Sequence, residues 1–172
     1  LFDRARDALQ TPFLTWQDEQ IAYGAFAERV RKASAGLRAA GVSVDDRVAI
    51  RVRDKLSHLV AYFGAMAAGA IAVHIWSRRG PEDVAWACRH TAAKVLVSDQ
   101  VVEGIDCETV PMASLLDCDD SPDLGARPSI AYMMFTSGTT SDPKAVMTTH
   151  GNVEFVTNTL IDIGSLQPDD RE

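Results

Sequence analysis

Between residues 23 and 40 the apolar positions keep helical spacing: Phe26, Val30, Ala33 and Leu37 share one face, while Glu28, Arg29, Arg31, Lys32 and Arg38 cover the others. That pattern predicts an amphipathic helix, and Gly41 can take the left-handed conformation that ends one. Upstream, residues 13–16 read as extended, and downstream RVAIRV at 47–52 reads as a strand. Leu56, Leu59, Val60, Phe63 and Ala67 then return to helical spacing, and after Gly69 the residues Ile71, Val73 and Ile75 alternate as in a strand.

The next helix is announced by Pro81, which suits a first turn, with Glu82 and Asp83 favouring its positive end and Arg89 and His90 its negative end. Val84, Ala87, Cys88 and Thr91 supply its inward stripe, and KVLVS at 94–98 returns as a short apolar strand. A less regular segment runs to about Leu116, and DCDDSPDLGARPS at 117–129 reads as an acidic surface connection. Then come the apolar run IAYMMF, a hydroxyl-rich loop, an extended piece around 146–149, and a helix carrying Val153, Val156 and Leu160 toward Gly164. Strands separated by helices predict an α/β fold: a mostly parallel sheet with helices on both faces.

Composition narrows the function classes. The 172 residues are 47% hydrophobic, enough for one domain with its own core. A net charge of -7 without a basic stripe argues against nucleic acid as a partner. Residues 56–77 lack charge if the histidines are neutral, but the change from helical to strand period at Gly69 favours helix then strand over a membrane span. Cys88, Cys107 and Cys118 form neither a CxxC pair nor a grouping with histidine, so reduced thiols and a cytoplasmic location are expected, and no metal site. The charged start LFDRARDALQ does not have the pattern of a secretory signal.

The chemistry concentrates in TSGTTSDPK, residues 136–144, directly after the apolar run. Small donors and a lysine at the end of a strand suit polyanion binding: hydroxyls and backbone N–H groups can donate together, and Lys144 adds a full charge. At ~4 Å and an effective dielectric of ~20, one charge pair is worth roughly 4 kcal/mol before desolvation. A plain polar turn with its bend at Asp142 and Pro143 is the alternative reading of the same composition. The Walker phosphate loop does not fit, because Pro143 and Ala145 flank the lysine where that motif wants glycine and a hydroxyl. No G-x-S-x-G elbow surrounds Ser137.

The stretch IAYMMFTSGTTSDPKAVMTTHGNV resembles the phosphate-binding signature of the adenylate-forming enzymes, which include acyl-CoA ligases, luciferases and the adenylation domains of peptide synthetases. IAYGAFAERVRKASAGLRAAGVSVDDRVAI and GAMAAGAIAVHI are similar to earlier segments of that family, in the same order. The resemblance implies part of the family's large amino-terminal domain, with residues 1–172 as the amino-terminal portion of an AMP-forming ligase. It implies a two-step reaction in which a carboxylate attacks the α-phosphate of ATP, pyrophosphate leaves, and the acyl group passes to a CoA or carrier-protein phosphopantetheine thiol. Thr136, Ser137, Gly138, Thr139 and Thr140 would hold the β- and γ-phosphates, with Lys144 beside them. The ligands of Mg2+, the remaining catalytic groups and most of the acid's pocket would lie in later motifs, so residues 1–172 alone are expected not to turn over.

The same resemblance marks two departures: Ser141 and Ala145 stand where the family commonly has glycine, and a left-handed requirement at either would cost roughly 1 to 2 kcal/mol. The segment AGAIAVHIW lacks the Val-Pro ending often found in peptide-synthetase domains, which favours an acyl-CoA ligase. A nucleotide-binding module that has lost the chemistry is the other reading. His150 is expected at a helix start in a packing or hydrogen-bonding role, and His74 in a core or pocket wall. Finally, Gly164 and Asp169-Asp170-Arg171 echo Gly41 and Asp45-Asp46-Arg47, after which a strand follows, so the natural chain is expected to continue past Glu172.

Overall fold

The computed structural model describes residues 1–118, 124–136, 143–166 and 170. Helix α1 (Phe2–Asp7) leads into an antiparallel pair, β1 (Pro12–Trp16) and β2 (Glu19–Ala22). The long helix α2 (Tyr23–Ala39) follows, and Gly41 with φ +78° turns the chain toward β3 (Arg47–Arg51). Then come α3 (Lys55–Ala67), β4 (Ile71–His74), α4 (Pro81–His90) and β5 (Val95–Ser98). The less regular segment contains β6 (Glu108–Pro111) and α5 (Met112–Leu116), and the last elements are β7 (Ile130–Phe135), β8 (Ala145–Thr149) and α6 (His150–Gly164).

Six strands form one sheet in the order β6-β5-β3-β4-β7-β8. All neighbours are parallel except β7 and β8, which form an antiparallel hairpin. The strand period of two divides the core between the faces. Val48, Ile50, Val95 and Val97 pack with Phe26, Val30 and Leu37 of α2 and with Val60 and Ala65 of α3, while Ala49 and Leu96 point the other way, against Val84, Ala87 and Cys88 of α4. The doubly covered parallel sheet expected from the alternation of strand and helix is therefore what the chain forms.

Three local features add to or differ from the sequence reading. The strand β6 is an edge strand of four residues, ETVP, whose charge and proline hide its pairing to β5. Helix α6, expected from Val153, Val156 and Leu160, buries none of its residues: Val156 and Leu160 are exposed, as are Phe155 and Ile163. Nothing among the described residues lies over that apolar side, so periodicity identified the helix but not its surroundings. The connection before β7 is more closely held than a surface link: Gly125 donates its N–H to Ala67 O at 2.8 Å, and Pro128 is buried.

The uncharged stretch at 56–77 resolves as α3, Gly69 with φ +83°, and β4. Among the described residues no helix is long and apolar enough to cross a membrane.

Candidate active site at the carboxyl ends of the strands

The hydroxyl-rich loop joins β7 to β8. Phe135 and Ala145 are the last ladder pair, and beyond them Thr136 donates its N–H to Lys144 O at 3.0 Å while Lys144 donates its N–H to Thr136 Oγ1 at 3.3 Å. The base of the loop is thus closed by its own two ends. Both backbone N–H groups are engaged, so Thr136 and Lys144 can offer an anion the hydroxyl proton and the ammonium rather than the amides. Both residues are exposed. Ser137, Gly138, Thr139 and Thr140, together with Ser141, lie outside the described residues. Ala145 is an ordinary extended residue of β8, so the left-handed requirement considered for that position does not arise.

A cleft of about 920 Å³ opens beside this hairpin. Its position follows from topology. The connection leaving β3 runs through α3 on one face of the sheet, whereas that leaving β4 runs through α4 on the other, so the two connections diverge beyond the paired carboxyl ends of β3 and β4. Open α/β sheets hold ligands in such crevices, and the volume suits a small-molecule site. Phe135 and Pro143, at the two ends of the hairpin loop, line the same cleft.

Four rings from three elements form its floor. His58 and Tyr62, one turn apart on α3, present the same face. His74 ends β4 and Tyr132 sits on the neighbouring β7, with Ala72 opposite Tyr132 in the ladder. His58 Nε2 lies 2.8 Å from His74 Nδ1, and the two rings stack with centroids 5.1 Å apart. Tyr62 and Tyr132 meet His74 at 5.0 and 5.5 Å.

Both imidazoles are held neutral. Burial lowers the pKa of His74 to about 4, helped by His58, and burial likewise lowers that of His58, against a hydrogen bond to the Val52 backbone that favours its charged form. Across the 2.8 Å contact one ring nitrogen donates its proton and the other accepts it. Burial, with Tyr132 second, raises the pKa of Tyr62. The floor is therefore an uncharged, ring-lined surface with hydrogen-bonding capacity.

The walls and rim add the charge. Trp86 on α4 stacks on His90 at 4.6 Å and reaches Phe135 at 5.6 Å, which ties α4 to the hairpin. Arg51, buried at the end of β3, donates to Gln100 Oε1 and to Arg79 O, both at 3.1 Å, and so fixes the turn after β4. On the rim, Arg53 pairs with Asp99 at 3.1 Å and Arg79 with Asp83 at 3.5 Å. Trp76 at the mouth is 72% exposed, so a broad apolar surface meets solvent there.

Of the two histidines singled out in the sequence, His74 lines the cleft, in its floor. His150 is the first residue of α6: its N–H donates to Ser129 O at 3.2 Å, its Nε2 is enclosed without a partner, and burial and then Arg127 lower its pKa. Sequence reasoning did not select His58, Tyr62, Trp86 or Tyr132. The i, i+4 spacing of His58 and Tyr62 was a readable signal, whereas the approach of Tyr132 depends on the pairing of β4 with β7, two strands far apart along the chain.

The family model for AMP-binding enzymes matches residues 1–171. The chain belongs to that family. Adenylate-forming enzymes of this kind comprise acyl-CoA ligases and the adenylation units of peptide synthetases, and the chain's relatives include both. The chain is 27% identical over 190 residues to a 3-hydroxybenzoate–CoA ligase of Aromatoleum sp. (strain CIB), a match covering 97% of this chain and 36% of the relative. It is 33% identical over 144 residues to a feruloyl-CoA synthase of Amycolatopsis sp., covering 78% of this chain and 29% of that one. It is 29% identical over 166 residues to a linear gramicidin synthase of Brevibacillus parabrevis, covering 92% of this chain and 2% of that much longer polypeptide.

Among solved structures, o-succinylbenzoate coenzyme A synthetase from Bacillus subtilis in complex with AMP superposes with a TM-score of 0.85 at 20% identity, over 99% of this chain and 47% of that one. The fold is thus that of the amino-terminal region of an adenylate-forming enzyme. The chain spans about a third of the length of the CoA ligases it matches.

Proposed function

We propose that this chain supplies the phosphate-gripping face of an enzyme that uses ATP to activate a carboxylic acid as an acyl-adenylate and then passes the acyl group to a thiol. The observation that carries the reading is the hairpin: Thr136 and Lys144 are brought together at the end of β7, beside a cleft that Phe135 and Pro143 line. Family membership over residues 1–171 supports the reaction class.

In this proposal Thr136, Ser137, Gly138, Thr139 and Thr140 donate to the β- and γ-phosphates, and the Lys144 ammonium adds charge. The acid's carboxylate attacks the α-phosphorus, the bond to the β-phosphate bridge breaks, and pyrophosphate departs with a growing negative charge. Donors whose contacts tighten as that charge grows lower the barrier, which makes these residues electrostatic groups rather than acids or bases. Magnesium would accompany the triphosphate. By the family resemblance, its protein ligands are proposed to lie in later motifs of the enzyme.

CoA, with its phosphopantetheine thiol, is the favoured acceptor over a carrier protein, because the β4 segment AIAVHIW lacks the Val-Pro ending of many peptide-synthetase domains and CoA ligases stand among the relatives. The adjacent cleft is large enough for a reactant other than the nucleotide. A cytoplasmic location, where ATP and CoA are available, fits the chemistry.

Calorimetric titration of the chain with ATP and with pyrophosphate tests the phosphate grip. Replacing Lys144 by alanine should weaken both by about 10- to 100-fold, as expected for loss of a hydrogen bond to a charged group. Equal affinities in Lys144→Ala and wild type would remove the basis of the proposal. Exchange of labelled pyrophosphate into ATP by the longer polypeptide, across a panel of acids, then separates a working ligase from a module that only binds nucleotide.

A further inference from the structure

Away from the cleft floor, two of the three cysteines are brought together by the fold. Cys88 lies on the inner side of α4 and is 4% exposed, within the core cluster on that face of the sheet. Cys107 immediately precedes β6, is half-buried, and packs against the same cluster. Nineteen positions separate them in sequence, yet both lie against the same core cluster, near enough for each thiol to shift the other's proton affinity. The adjacent residues repeat the pairing: Arg89, next to Cys88, forms an ion pair with Asp106, next to Cys107, at 3.6 Å. Two consecutive side-chain pairs therefore hold α4 against the start of β6. Both thiols are free.

The geometry points to a modification site of this pair: Cys88 and Cys107 form a vicinal dithiol that hydrogen peroxide converts reversibly to a disulfide. The two sulfurs are not equivalent. The neighbouring Cys107 thiol and then burial push the Cys88 pKa up, while the neighbouring Cys88 thiol lowers the Cys107 pKa against the opposing effect of burial. Cys107, the more accessible, is the attacking thiolate, and Cys88 is the resolving thiol.

The steps balance. The Cys107 sulfur attacks one peroxide oxygen, the O–O bond breaks, and a sulfenic acid forms while hydroxide leaves and is protonated by solvent. The Cys88 sulfur then displaces the sulfenic hydroxyl, which departs as water with the Cys88 proton. The sum is two thiols and one peroxide giving a disulfide and two waters. Each sulfur loses one electron and the peroxide gains two. A thiol reductant reverses it by exchange. The bridge would tie α4 covalently to the edge of the sheet. Since α4 carries Asp83 and Trp86 into the cleft wall, the oxidised and reduced forms would differ in how freely that wall moves.

This inference does not rest on ATP chemistry, and its test has no activity readout. The reduced chain is treated with hydrogen peroxide, blocked with N-ethylmaleimide, digested and analysed by mass spectrometry. The Cys88–Cys107 peptide should appear well before any linkage to Cys118, and dithiothreitol should remove it. Before oxidation, Cys107 should react with N-ethylmaleimide about tenfold faster than Cys88. In Cys88→Ser the reaction should stop at a Cys107 sulfenic acid that dimedone traps. If peroxide links Cys118 preferentially, or drives Cys107 to sulfinic acid with Cys88 still reduced in the folded wild-type chain, the assignment is overturned.

Discussion

His58 Nε2 and His74 Nδ1 lie 2.8 Å apart in the floor of the cleft, joining α3 to the end of β4 by a single imidazole–imidazole hydrogen bond. Two imidazolium ions could not share that contact, so the arrangement requires at least one neutral ring, and burial makes both neutral near pH 7.

The pair should make folding stability sensitive to mild acid. The folded-state pKa of His74, about 4, lies below the unfolded value of 6.5. Between those values the unfolded chain binds the proton and the folded chain does not, so stability falls as pH drops through that window and levels off below about 4. From pH 7 to pH 5 the loss from His74 is about 2 kcal/mol, and His58 adds to it in the same direction. Urea melts at the two pH values should show this slope in wild type and a clearly smaller one in His74→Phe. Parallel slopes would refute it.

Asp54 should be a strong helix cap. Its carboxylate accepts from the Ser57 N–H at 2.8 Å, from Ser57 Oγ at 2.6 Å and from Trp16 Nε1 at 3.0 Å. Burial alone would raise its pKa, but hydrogen bonds from Ser57, Trp16 and Leu56 together lower it. Asp54→Ala should lower stability by about 1 to 2 kcal/mol, measured by chemical denaturation at pH 7. Because the folded pKa is depressed, the difference should be full above pH 3.8 and fade as pH falls further. Trp16 emission should shift in the variant even where it remains folded.

Gly125 should not accept a side chain. A Cβ there would collide with Ala68 O and come within 2.6 Å of Gly69 N, both backbone atoms that cannot rotate away. Gly125→Ala should destabilise by about 1 to 3 kcal/mol through forced displacement of the turn between α3 and β4. A melting temperature unchanged from wild type would show that the turn yields at no cost.

Much of the fold was legible along the chain because its signals are local. The stripes of α2 and α3, the breaks at Gly41 and Gly69 and the proline start of α4 need only a few neighbouring residues to be read, and each appears in the structure. Strand β6 was not legible, since Glu108 and Pro111 are tolerated only because the strand pairs along one side, with β5. The exposed stripe of α6 shows the converse limit. Its period specifies a helix with an apolar side, but not what, if anything, covers that side.

The candidate site divides in the same way. By itself the sequence determined the family, the α/β sheet and the loop of donors ending at Lys144, because chain order and residue type carry that information. Only the tertiary structure decided that Thr136 and Lys144 close the loop on each other, that His58 shares a proton with His74, and that Cys88 meets Cys107. The first closes a single hairpin; the other two join residues from separate elements, and the sheet order that sets their distances arises from burying both faces at once. No window along the chain contains that constraint.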